Sequence, residues 1–237
     1  MVYVKEMFND IAFTYDRLNH LLSLGIDRIW RRRAIALLVR KIRRQGKIVS
    51  SVTLLDVATG TGDMAFEAAL QGFRHIIAVD IAEKMLEQAR IKQQKKNMQG
   101  ISFVVADAGN LPFEANFFDA AMVAFGIRNF ADINAGLRKI AQVLKPAAPF
   151  VVIEFSTVRS PLLRALYNVY FNGILPIIGR IISGHTYAYE YLPYSVSKFP
   201  SGKEFIACLQ ANGFSNASDI PLWGGIATIY VAERADL

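Results

Sequence analysis

Leu54-Leu55-Asp56-Val57-Ala58-Thr59-Gly60-Thr61-Gly62-Asp63, followed by Ile76-Ile77-Ala78-Val79-Asp80, reads as a buried strand, a glycine turn opening a helix, and a second buried strand ending in a carboxylate. The acid lies about 20 residues beyond the turn, the interval at which α/β folds set a ribose-binding carboxylate beside an adenosine-bearing cofactor. Gly60 and Gly62 lack a Cβ, so the backbone can take positive φ and let a ligand lie against amides at the helix N-terminus. A tight turn without a ligand uses the same residues, and it is Asp80 that favours a cofactor. The third glycine of the dinucleotide fingerprint is missing, and Asp56, Asp63 and Asp80 surround the turn. Pyrophosphate is disfavoured there, whereas S-adenosylmethionine carries a sulfonium, an ammonium and a ribose but no phosphate.

Outward from this stretch, strands are expected at 54–58, 75–80, 101–106, 118–124 and 149–155, with helices at 63–71, 82–97 and 132–144. The alternation implies an α/β, Rossmann-like, mostly parallel sheet with helices on both faces. Right-handed crossovers bring the strand C-termini, and with them Gly60, Asp80, Asp107 and Phe125, to one rim. Phe8, Ile11, Ala12, Tyr15, Leu18 and Leu22 fall at helical spacing, and a second helix is expected from Asp27, its N-cap, to Arg44, stopped by Gly46. A helix at 201–212 capped by Ser201 precedes strands 216–222 and 226–233, which Trp223-Gly224-Gly225 joins as an antiparallel edge hairpin, making seven strands. The 237 residues suffice for one such domain. Its expected parts are N-terminal helices (1–47), a cofactor-binding core (52–156), an apolar helical insertion or lid (157–200) and a C-terminal helix with edge strands (201–237).

Composition narrows the setting. The single cysteine, Cys208, sits among Phe205, Ile206 and Leu209 as a helix-core thiol, which excludes an internal disulfide framework and suits a reducing cytoplasm. The N-terminus lacks the apolar stretch of a signal peptide, and no run reaches the ~18 to 20 apolar residues of a membrane span, so a soluble or peripheral protein is expected. No metal site is expected. The net charge of +7 is concentrated in Arg28, Arg31, Arg32, Arg33, Arg40, Lys41, Arg43, Arg44 and Lys47, with no acid between them. That run is a solvated helix face or a surface for nucleic acid or anionic lipid; without an RNA-binding signature, lipid outweighs RNA. Between Pro161 and Ser183 the chain is apolar almost all round, as a buried insertion or as an interfacial segment touching lipid.

Several motifs resemble the ubiquinone/menaquinone biosynthesis C-methyltransferases, and together they span nearly the whole chain. They are Phe8-Asn9-x-Ile11-Ala12-x-x-Tyr15-Asp16-x-Leu18-Asn19, Ser23-x-Gly25-Ile26-x-x-x-Trp30, Leu111-Pro112-Phe113-x-x-Asn116-x-Phe118-Asp119, Ala124-Phe125-Gly126-Ile127-Arg128-Asn129, Glu154-Phe155-Ser156 and Tyr189-x-Tyr191-Leu192-x-x-Ser195. The resemblance implies a class I methyltransferase that transfers a methyl group from S-adenosylmethionine to a ring carbon of a prenylated quinol. It also implies a cofactor site comprising Asp56, Gly60, Thr61, Gly62, Asp80 at the ribose, Ile81, and Asp107 with Ala108 flanking the adenine. Four positions depart from the family pattern: Ala124 where some members have serine, Ala147 and Ala148 in place of two glycines, and His185 where an acid is common.

For such a reaction Arg128, just past a strand end, is the candidate to lower the quinol pKa, because a guanidinium stabilises a phenolate and cannot take its proton. Asn129 is a candidate to orient the second ring oxygen, and Tyr15, Tyr187 and Tyr189 to line the aromatic slot; a salt bridge and cap near Asp132 is the alternative role for Arg128 and Asn129. The expected partners are the quinol lipid and a membrane surface touched peripherally from the cytoplasm, with no nucleic acid. A homodimer or a complex of quinone-biosynthesis enzymes stays open. The rival functions are methylation of RNA or a small molecule by the same fold, and a non-catalytic membrane-associated scaffold.

Overall fold

The computed structural model describes residues 2–23, 25–156 and 186–236, with backbone alone at 2–3, 17–22 and 186–190. Helices α1 (Val2–Leu22) and α2 (Ile26–Arg44) precede β1 (Thr53–Val57), α3 (Asp63–Leu70), β2 (His75–Asp80), α4 (Glu83–Lys95) and β3 (Ile101–Val105). The chain continues through β4 (Ala120–Ala124), α5 (Ile133–Val143) and β5 (Pro149–Phe155), and closes with α6 (Thr186–Lys198), α7 (Lys203–Ala211), β6 (Phe214–Leu222) and β7 (Ala227–Arg234).

These strands form one seven-stranded sheet in the order β3-β2-β1-β4-β5-β7-β6. Strands β1 to β5 pair in parallel, and β7 runs antiparallel to both β5 and β6. The C-terminal hairpin therefore extends the sheet with β7 inside and β6 at the edge. Successive strand residues face opposite sides, so the apolar pair Leu54-Leu55 feeds two cores. Leu54 packs with Trp30, Ile35, Leu38 and Ile42 of α2 and with Met64 and Phe66 of α3. Leu55 joins Leu137 and Ile140 of α5 and Phe205 and Leu209 of α7.

Several local expectations are corrected. Helix α2 is capped by Gly25 at φ +75°, and Asp27 lies inside its first turn, where it accepts a hydrogen bond from Ser23 Oγ at 2.6 Å and pairs with Arg31. Helix α7 starts one residue later than a Ser201 cap requires, with Gly202 in that place and its amide donating to the Tyr230 hydroxyl at 2.7 Å. Cys208 is only half-buried, with its Sγ 3.3 Å from Asn134 Oδ1. Ala147, where the family pattern has glycine, takes φ +58°, and its amide donates to Arg234 O at 3.1 Å. The apolar stretch at 161–183 and His185 lie outside the described residues.

The glycine turn needs its two glycines for different reasons. Gly60 (φ +58°) has open space where a Cβ would sit, whereas at Gly62 (φ +85°) a Cβ would come within 2.9 Å of the Phe66 ring and 3.3 Å of Ala89 Cβ. Both substitutions by alanine carry the left-handed backbone cost of roughly 1–2 kcal/mol. Gly62→Ala adds a clash under α3, so its melting temperature is expected to fall further than that of Gly60→Ala, by several degrees in scanning calorimetry.

Candidate functional site

The parallel strands end on one rim, and there a cavity opens of about 970 Å³, counting space shared with solvent. That is near the upper end of the ~300–1,000 Å³ usual for small-molecule sites. Its floor is the β1 end and glycine turn (Val57 to Thr61), and one side is Asp80, Ile81, Asp107 and Ala108. The opposite side is Ala124, Phe125, Gly126, Asn129 and Phe130, while Val4, Lys5, Phe8 and Tyr15 of α1 close over it. The floor is tight: a Cβ on Gly126 would stand 2.5 Å from Ala58 Cβ, so glycine lets the ends of β1 and β4 meet.

Asp80 both builds and lines this cavity. Its Oδ2 accepts the Gly60 amide at 2.8 Å and its Oδ1 the Ala82 amide at 2.9 Å, which fixes the turn against the end of β2. Burial pushes its carboxyl above the usual range, and the two amides partly oppose that shift. Asp56, wholly buried behind the floor, accepts from Thr59 Oγ1 at 2.6 Å through Oδ2, and its Oδ1 has no hydrogen-bond partner among the described residues. Burial raises its pKa from 3.8 to about 7; Asp80 adds to the shift, while the Thr59 hydroxyl and Arg31 act against it. Arg31 is already engaged, paired with Asp27, 3.6 Å from Asp63 Oδ2 and 5.6 Å from the centre of the Phe125 ring.

The cover is held by charges that the sequence left unremarked. Asp16 of α1 accepts from Thr61 Oγ1 and, at 2.8 Å, from Lys92 Nζ; the same ammonium lies 2.6 Å from Asp63 Oδ1. Asn9 Oδ1 accepts the Lys84 amide at 3.0 Å, and Ile11 and Ala12 pack on Ala82 and Met85. Asp16 belongs to the Tyr15-Asp16 motif, but Lys92 looks in sequence like any solvated helix lysine.

Gly60, Thr61, Asp80, Ile81, Asp107, Ala108, Asn129 and Tyr15 thus meet at one cavity, with Asp56 and Gly62 immediately behind its floor. Tyr187 and Tyr189 fall in the first turns of α6, where only the backbone is described. Arg128 is turned away from the cavity lining. Its Nη1 donates to Glu154 Oε1 at 2.7 Å and to Phe125 O, and its Nε to Ser195 Oγ at 3.2 Å, tying the β4 turn to β5 and α6. The partner is therefore Glu154 and not Asp132, which caps α5 by accepting from the Ala135 amide. Asn129 does line the cavity, and its buried Oδ1 has no partner among the described residues. The site combines carboxylates, aromatic rings and an unused carbonyl acceptor, which fits a cationic adenosyl group beside an aromatic hydroxyl compound.

Comparison with known proteins agrees with that chemistry. Residues 1–234 match the model of the ubiE/COQ5 methyltransferase family. The chain is 43% identical to the ubiquinone/menaquinone biosynthesis C-methyltransferase UbiE of Geotalea uraniireducens, over 98% of this chain and 96% of that protein. It is 37% identical to the demethylmenaquinone methyltransferase of Chlorobaculum parvum, over 98% and 92% of the two chains. Among solved structures, a methyltransferase of Thermotoga maritima described as S-adenosylmethionine-dependent superposes with a TM-score of 0.65 at 16% identity, covering 97% of this chain and 99% of that one. One from Aquifex aeolicus gives 0.56 at 16% identity, covering 83% and 89%. At those identities the structures speak for the fold alone.

Two measurements probe the buried charges. Because the folded-state value of Asp56 lies above the unfolded one, the folded protein holds an extra proton between the two, and that stability is lost as pH rises from 3.8 through about 7. Melting temperatures across this window are expected to fall with pH more steeply in the native protein than in Asp56→Asn, which cannot ionise. Arg128→Gln strips a buried carboxylate of its counter-charge, so a loss of about 3–5 kcal/mol is expected in denaturant titration, partly restored by adding Glu154→Gln. Unchanged stability with lost activity would instead return Arg128 to a role on the substrate.

Proposed function

The chain belongs to the ubiE/COQ5 methyltransferase family, and on that footing we propose that it transfers a methyl group from S-adenosylmethionine to a ring carbon of a prenylated quinol in menaquinone or ubiquinone biosynthesis. The observation that carries the proposal is Asp80, a buried carboxylate that holds the glycine turn and faces the cavity. Such a group suits a ribose diol and a positively charged neighbour, and repels a phosphate.

When bound, S-adenosylmethionine supplies an electrophilic methyl group on a sulfonium. Asp80 is assigned to the ribose hydroxyls, Asp107 and Ala108 to the adenine, and Gly60 and Thr61 to the wall behind them, while a carboxylate at Asp80 favours a positively charged neighbour. Asn129 Oδ1 is assigned a ring hydroxyl of the acceptor. Accepting that hydrogen bond moves electron density toward the ring carbon, and the carbonyl holds the ring in one orientation. Phe125, Phe130, Phe8 and Tyr15 offer apolar faces that exclude water from the reacting atoms. Arg128 acts at one remove, bracing the turn that carries Phe125 and Asn129 through Glu154 and Ser195.

We further propose that the protein works at a membrane surface, where its acceptor resides. The basic run on α2 and the apolar stretch at 162–182 support that reading. Among the described residues no helix is long and apolar enough to cross a membrane.

An electron-rich acceptor is essential to this chemistry. The protein is expected to methylate a reduced demethylmenaquinol and to leave the oxidised quinone, whose ring is electrophilic, unmodified; equal turnover of both forms would overturn the mechanism. Asp80→Ala is expected to abolish S-adenosylmethionine binding in titration calorimetry, and a melting curve run alongside separates lost affinity from lost fold.

A further inference from the structure

Helix α2 runs against the direction of the strands, so its N-terminal end lies at the cavity rim, where Trp30 packs 6.4 Å from Phe125. Trp223, directly after the end of β6, reaches the same rim, with its ring 6.4 Å from that of Trp30. Trp30 is buried, whereas Trp223 is 57% exposed and held at φ +46°, a backbone conformation that a bulky residue adopts only at a cost. Ile29, on the outer face of α2, is 59% exposed. Around it stand Arg28, Arg32 and Arg33, all exposed, and the stripe continues down the helix through Arg40, Arg43 and Arg44. Of these six, Arg32 alone has an acidic partner among the described residues, a solvent-exposed contact of 3.4 Å to Glu67.

We propose that this corner of the molecule, with Trp223 and Ile29 as apolar contacts and Arg28, Arg32 and Arg33 as charges, is the surface by which the protein docks on a bilayer containing anionic phospholipid. Charge complementarity selects the partner: among the six arginines of this face Glu67 is the single acidic contact among the described residues, and each arginine near an anionic membrane is worth about a fivefold gain in partition at moderate ionic strength. Residue type agrees, because a tryptophan beside an exposed aliphatic side chain suits the boundary between head groups and acyl chains, whereas a nucleic-acid platform needs aromatic rings interleaved among the charges. Position supplies the purpose. Trp30 links the exposed Trp223 to Phe125 in the cavity wall, so a quinol ring leaving a docked bilayer enters the cavity while its prenyl tail stays in lipid. The proposal rests on the reading that the acceptor is a prenylated quinol.

The test is flotation of the whole protein with vesicles of phosphatidylcholine, with and without about a third phosphatidylglycerol. Binding only to the anionic vesicles is expected, and it should weaken roughly 100-fold in Arg28→Gln/Arg32→Gln/Arg33→Gln. The chain has two tryptophans and one is buried, so a blue shift of emission on vesicle addition reports Trp223 and should vanish in Trp223→Ser. Both variants should keep the native affinity for S-adenosylmethionine and native turnover of a short-chain, water-soluble quinol, while losing turnover of a quinol embedded in vesicles. Equal binding to both vesicle types, or native binding by the triple variant, overturns the docking surface and leaves the methyltransferase reading intact. Tight, salt-sensitive binding to total RNA in place of vesicles also overturns it, in favour of nucleic acid. Failure of the native protein to methylate the soluble quinol strikes the functional reading itself.

Discussion

Two carboxylates buried at the ends of adjacent strands govern the arrangement of this molecule. Asp56 and Asp80 lie on β1 and β2, next to each other in the sheet, and burial raises both above the ordinary carboxylate range. Hydrogen bonds offset part of that burial: the Gly60 and Ala82 amides go to both oxygens of Asp80, and the Thr59 hydroxyl goes to one oxygen of Asp56. The turn's geometry is thus the hydrogen-bonding shell of the acids. Arg31, the cation nearest to hand, is drawn toward Asp27 and Asp63, so the cavity retains a negative bias that a cationic ligand completes.

The other two charge groupings join parts of the chain that apolar packing alone leaves loosely attached. Lys92 gathers Asp16, Thr61 and Asp63 and so fastens α1, the glycine turn and α3 to α4. Arg128 with Glu154 does the same for the β4 turn, β5 and α6. The buried Arg128–Glu154 pair adds little net stability over an apolar substitute, yet it penalises any arrangement that leaves one member alone.

Much of the sheet was legible because hydrophobic periodicity and glycine punctuation are local signals. The runs at 54–58 and 75–80 and the separation from Gly60 to Asp80 located the rim correctly. Helix ends were less legible: Asp27 looks like an N-cap, but Gly25 in the left-handed region takes that place and frees Asp27 for Arg31. Helix α6 falls inside the helical insertion expected at 157–200, but its ends were not marked, because tyrosines at alternate positions and Pro193 blur the helical period. The partners of Arg128 were hidden for a related reason. Its nearness to the strand end is visible in sequence, but the direction of its side chain depends on Glu154, 26 residues away on the neighbouring strand. Thr61 and Lys92 make the same point, since their common partner Asp16 lies in a different helix.

The clasp on α1 bears on how the cavity comes into being. This helix is made before the groups that hold it, which lie 45 to 76 residues further along the chain, at Thr61, the Lys84 amide and Lys92. The cavity is consequently finished only after α4 exists, and a ligand touching α1 selects completed molecules over partly assembled ones, stabilising them by mass action. Opening the same clasp breaks a few polar contacts and leaves the sheet untouched, so ligand residence time is governed by the hold on this cover as well as by the contacts inside.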